Sequence, residues 1–139
     1  MIQSTASTPS VDESVSSQAR AKRTFIKGDG SDKVTIMVYL CGTDLESKSG
    51  MASNDLAEMA RASLSDNVNI LIYTGGCKSW KTPGISSKVN QIYLITKGGM
   101  KRLVEDDGNK AMTSPSTLTS FIKYCASNYP ANRNELILW

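Results

Sequence analysis

The sequence contains no histidine in 139 residues. Without an imidazole to raise the thiolate fraction, neither Cys41 nor Cys77 reads as a catalytic nucleophile. The three cysteines, Cys41, Cys77 and Cys125, make no metal-binding spacing and, being odd in number, no closed disulfide set. Buried thiols are the expectation, although Cys41 and Cys77 both fall just past the ends of neighbouring strand-like runs, where a bridge is conceivable. No run of eighteen apolar residues exists, so no segment reads as membrane-spanning, and Met1-Ile2-Gln3-Ser4 lacks the charged-then-apolar pattern of a signal peptide. Neither G-x-G-x-x-G nor G-x-x-x-x-G-K-[ST] occurs, which leaves phosphate cradling with little support. Sixteen basic and thirteen acidic residues leave a net charge of +3 with no basic stripe interleaved with aromatics, which argues against nucleic acid as a partner.

A hydrophobic fraction of 40 % beside 21 % charged residues suits one globular domain. The apolar residues are unevenly spread. Residues 1–32, rich in Ser, Thr, Ala and Gln, show no apolar period of two or of 3.6 residues, and read as a disordered leader or pro-segment. Gly28-Asp29-Gly30-Ser31-Asp32 punctuates the entry to a folded part at 33–139. There Val34 to Leu40 and Val68 to Thr74 are β-branched apolar runs of the kind buried on both sheet faces. Between them, residues 50–64 put Ala52, Leu56, Met59 and Ser63 on one helical face, with Ser49 or Ser53 as candidate caps. Strand, helix and strand in this order predict a right-handed parallel βαβ unit.

Gln91 to Ile95 and Met100 to Val104, separated by Gly98-Gly99, predict a hairpin or small antiparallel annex. Ser114-Pro115 opens a helix carrying Leu118, Phe121, Ile122 and Cys125, and Pro130 forbids its continuation. Glu135-Leu136-Ile137-Leu138-Trp139 is a third candidate strand on which the sequence stops, so the expectation is a sheet left incomplete and an activity to be argued from half a site.

Ligands of open parallel sheets sit beyond the carboxyl ends of the strands, which directs attention to the residues after Leu40, Thr74 and Trp139. Gly42, Thr43, Asp44 and Glu46 offer hydroxyl and carboxylate groups there, or are turn residues chosen for backbone geometry. Asp44, Glu46 and Asp55 make no obvious acid–base pair, and Asp55 is expected to be solvated. Asp106-Asp107-Gly108-Asn109 reads as a turn rather than a calcium loop.

Four blocks carry a more specific signal: Thr35 to Ser47, Asn54 to Met59, the Tyr73-Thr74-Gly75-Gly76-Cys77-Lys78-Ser79-Trp80 corner, and Tyr129 to Trp139. In this order they resemble the N-terminal part of the clostripain-like cysteine peptidases, over roughly Val34 to Trp139. The resemblance implies an α/β fold, a caspase-like three-layer α/β/α sandwich with a mainly parallel sheet, incomplete in this chain. It implies a bacterial endopeptidase that cuts after arginine or lysine with a histidine at one strand end and a cysteine at the next. The histidine would then follow Trp139 directly and no catalytic residue would lie in this chain, which alone would be inactive.

The same resemblance implies that Asp44, Ser49, Gly50, Met51 and Ala52 neighbour the primary specificity pocket. It makes Arg20, Lys22, Arg23 and Lys27 candidate processing points of a zymogen that cuts itself, unless they only keep a linker soluble. It further implies secretion or attachment to the cell surface, peptide or protein substrates containing Arg or Lys, a C-terminal remainder of the peptidase domain as partner, and calcium by family likeness alone. The competing expectation is a non-catalytic binding or partner subunit that completes its sheet with another chain.

Overall fold

The computed structural model describes residues 25–139. Strand β1 (Val34–Cys41) runs into a short helix α1 (Thr43–Ser49), then α2 (Met51–Arg61), β2 (Val68–Gly75), the hairpin β3 (Gln91–Thr96) and β4 (Gly99–Val104), α3 (Pro115–Asn128) and β5 (Arg133–Leu138). One five-stranded sheet results, ordered β4-β3-β2-β1-β5. Strand β1 pairs in parallel with both β2 and β5, whereas β2–β3 and β3–β4 are antiparallel. The sheet is therefore mixed, and the expected annex extends the same sheet from the outer edge of β2.

Alternation along β1 and β2 sends residues to two cores. Val38, Leu40, Ile70 and Ile72 meet Ala52 and Leu56 of α2 on one face. Met37, Tyr39, Leu71 and Tyr73 meet Phe121 and Cys125 of α3 on the other. This is why both strands read as continuous apolar runs. Tyr39 stacks on Tyr73 at 5.3 Å between ring centroids, and Phe121 lies 5.2 Å from Tyr73.

Local chemistry departs from the sequence expectation at the start of α2. Neither Ser49 nor Ser53 caps it through its own side chain. Gly50, at φ +67°, ends α1 and begins α2, and the Glu46 carboxylate of α1 accepts the Ser53 backbone N–H at 2.8 Å. A carboxylate placed there also suits the positive end of the helix dipole. Helix α1 itself, expected as a turn, has Glu46 as its only buried residue and so leaves no apolar period to read.

Candidate active site

Past the ends of β1 and β2 the ladder continues: Gly42 N–H donates to Gly75 O and Thr43 N–H to Gly76 O, both at 3.0 Å. Close approach requires glycine at Gly76, which has φ +70° and whose Cβ would stand 2.5 Å from Cys41 Sγ. Thr43 holds φ +47°, an uncommon backbone for a β-branched residue, at the mouth of the same crevice. Beyond these strand ends opens a cavity of about 740 Å³, lined among others by Thr43, Asp44, Lys48, Cys77, Lys78 and Lys110. Its far wall is tied to the sheet by two tyrosines. Tyr39 donates its hydroxyl to Met112 O at 2.9 Å, and Tyr73 donates to Asp107 Oδ2 at 2.7 Å. Burial and this aspartate together push the Tyr73 hydroxyl far above its usual pKa.

A buried carboxylate holds the near wall. Glu46, fully buried, accepts Ser53 Oγ–H and Lys81 N–H at Oε1, both at 2.6 Å, and Ser53 N–H at Oε2. Ser53 Oγ in turn accepts the Thr82 N–H at 2.8 Å. Burial raises the Glu46 pKa, but the Ser53 hydroxyl and the backbone donors of Lys81, Ser53 and Ala52 outweigh it and hold the carboxyl below its ordinary value. The loop after β1, the start of α2 and the loop after β2 are thereby one unit. A second long-range bond joins α2 to the end of β5, where the Trp139 indole N–H donates to Asp55 Oδ2 at 2.6 Å.

The sequence model of the clostripain family matches residues 38–139. The chain belongs to the clostripain family. A search of curated proteins found no match. Among solved structures, a B. fragilis cysteine protease has a TM-score of 0.57 at 15 % identity over 77 % of this chain and 86 % of that one. A clostripain from Bacteroides thetaiotaomicron, in complex with the peptide inhibitor BTN-VLTK-AOMK, gives 0.54 at 15 % identity over 77 % of this chain and 88 % of that one. A secreted cysteine protease from the same species, in complex with an irreversible peptide inhibitor, gives 0.55 at 19 % identity over 77 % of this chain and 29 % of that one. At these identities the likeness speaks for the fold: a caspase-like open sheet between helices.

Within this clostripain-family chain the five expected pocket neighbours do not act as one wall. Asp44 is exposed, lines the cavity and pairs with Lys48 at 2.9 Å, so a lysine already shares its charge. Ser49 and Met51 are exposed, Gly50 is buried at the helix junction, and Ala52 lies in the core beside Leu56. Lys27 is exposed, whereas Arg20, Lys22 and Arg23 lie outside the described residues. Asp55 is half-buried and bonded to Trp139 rather than solvated. Glu46, Asp107 and Trp139 carry contacts that sequence reading did not assign. The Glu46–Ser53 pair, seven residues apart across a glycine, is the one local trace of these contacts; Asp55 and Trp139 are 84 residues apart and leave none.

Calcium finds no cage in the described residues, where no group of three or more metal-ligating side chains is present. Asp106 accepts the Gly108 N–H within its turn, and Asp107 is engaged by Tyr73 and by Lys110 at 2.9 Å. These carboxylates, engaged within the chain, do not form a metal cage.

All three cysteines are free thiols. Burial pushes the Cys41 and Cys77 thiols up and raises Cys125 to about 12. Since the thiolate is the reactive form, iodoacetamide at neutral pH is expected to label Cys41 and Cys77 slowly and Cys125 only after unfolding. Peptide mapping of the alkylated chain checks this, and rapid native labelling of Cys125 would contradict its burial against Phe121.

Proposed function

We propose that this chain is the N-terminal segment of a cysteine endopeptidase cleaving after arginine or lysine, with its histidine and cysteine supplied by polypeptide outside these 139 residues. The observation that carries this reading is the edge of β5, which pairs with no further strand among the described residues. Leu136, Ile137 and Leu138 are 40, 46 and 66 % exposed beside a β1 in which no residue is exposed, while the sequence offers no imidazole of its own. An apolar strand edge invites another strand. A C-terminal remainder of the peptidase domain that pairs there would bring its own strand end beside those of β1 and β2.

In such a dyad the imidazole assists the thiol and the leaving amine, and fixed N–H groups stabilise the oxyanion of the tetrahedral intermediate. Specificity for a basic residue draws support from the lysine that ends the VLTK inhibitor sequence in the clostripain complex. Because Asp44 already pairs with Lys48, we assign the acid that grips the substrate's basic side chain to the same remainder and keep Asp44 at the rim. The segment 1–32 serves as a pro-segment cut at Arg20, Lys22, Arg23 or Lys27, and export to the cell surface or medium agrees with the secreted relative.

Arginine and lysine reporter peptides test the reading. The full-length protein is expected to hydrolyse them in a thiol-dependent way that iodoacetamide abolishes, and the 139-residue chain alone not to. A full-length protein inert towards both reporters would leave the chain as a non-catalytic partner subunit.

A further inference from the structure

We propose that Asp55 is a positioning residue for the active site, fixing through the indole of Trp139 the direction in which the polypeptide leaves β5. This rests on the proposed function, in which the residues beyond that strand end carry the imidazole. Side chains 136 to 138 of β5 are exposed, yet Trp139 turns back, half-buried, against the core on the α2 face. Its backbone is held from two sides: Trp139 N–H donates to Tyr39 O at 3.1 Å, and its carbonyl accepts Cys41 N–H at 3.2 Å.

Those two bonds fix position along the sheet but leave the exit angle to the side chain. The indole supplies that third restraint by donating to Asp55 Oδ2 at 2.6 Å. A bond to an ionised acceptor is shorter and stronger than a neutral one. Asp55 is itself on a rigid support, since α2 buries Ala52 and Leu56 and its first turn is bonded to Glu46 through Ser53. The same carboxylate staple that joins the loops after β1 and β2 therefore extends, by way of α2, to the end of β5. Three neighbouring strand ends share one reference frame, and strand ends are where open parallel sheets place their site residues.

The test uses the full-length protein and counts active sites with an irreversible peptide inhibitor, so that lost folding is separated from lost turnover. A displacement on the order of 1 Å at a reacting group costs up to about 10²-fold, so Asp55→Ala is expected to lower kcat per active site by about 10- to 100-fold, with little change in KM. Asp55→Asn, whose amide oxygen can still accept the indole N–H, is expected to restore most of the loss. Trp139→Phe, which keeps a ring but no donor, should match Asp55→Ala, and the double variant should be no worse than either single one. Unchanged kcat per active site in Asp55→Ala would overturn the inference, as would multiplying losses in the double variant.

Amide exchange provides a readout that needs no activity. Exchange at Trp139 is expected to quicken in Asp55→Ala while the core amides of β2 stay protected. Unchanged exchange at Trp139 would overturn the anchor even in an active enzyme. If wild type cleaves neither basic reporter, the proposed function fails, and exchange alone decides whether Asp55 holds this strand end.

Discussion

Replacing Glu46 with alanine is expected to destabilise the chain by about 2–3 kcal/mol, because a buried donor left without an acceptor costs about 1–3 kcal/mol and the three donors here are partly buried. The side chain is fully buried, and its removal strands the Lys81 N–H, the Ser53 N–H and the Ser53 hydroxyl together. Glutamine should cost less, since one oxygen still accepts, but its amide NH₂ would face backbone donors where the second oxygen now lies. Urea unfolding followed by tryptophan emission measures this, with the midpoint shifting at constant slope. A loss under about 1 kcal/mol for Glu46→Ala would show that water enters and replaces the carboxylate.

The same group sets an acid limit on stability. Its folded pKa lies below the ordinary 4.5, so the stabilisation is present in full above the pKa of the unfolded carboxyl. It is lost as pH falls through the lower folded value. Glu46→Gln should flatten that acid limb, leaving a smaller difference from wild type at low pH than at neutrality.

Phe121→Ala is expected to cost about 3–5 kcal/mol by the usual penalty for emptying a buried aromatic site. Phe121 is 1 % exposed and lies against both Tyr39 and Tyr73. Those tyrosines reach with their hydroxyls to Met112 and Asp107, so a cavity beneath their rings should also slacken the far wall of the crevice. Thermal unfolding reads the first effect. Faster amide exchange around residues 107–112 reads the second. If the midpoint falls without a change in exchange there, the aromatic layer supports the sheet and not the site.

The sheet and its two cores were legible because burial on both faces leaves an unmistakable mark. Val34 to Leu40 and Val68 to Thr74 are apolar at both alternations, and Ser114-Pro115 marks the start of α3 by backbone geometry alone. The site was legible only where it follows from strand ends. Asp44 lines the crevice past β1, but its ion pair with Lys48 depends on α1, whose polar surface gives no period to detect. Glu46 appeared as one more carboxylate in a turn, and nothing local distinguishes an acid that collects buried N–H groups from one that faces water. Asp55 looked solvated because its partner is 84 residues away and belongs to the last residue of the chain.

The hairpin at the other end of the sheet has its own consequence. Strand β4 presents exposed Lys101 and Arg102 along the outer rim, whereas β5 carries exposed Arg133 and Glu135 in its first half and exposed Leu136, Ile137 and Leu138 in its second. Charge on a rim repels a further strand and an apolar rim recruits one. The two rims therefore differ most at the carboxyl end of β5, where an incoming strand would meet apolar side chains instead of charge.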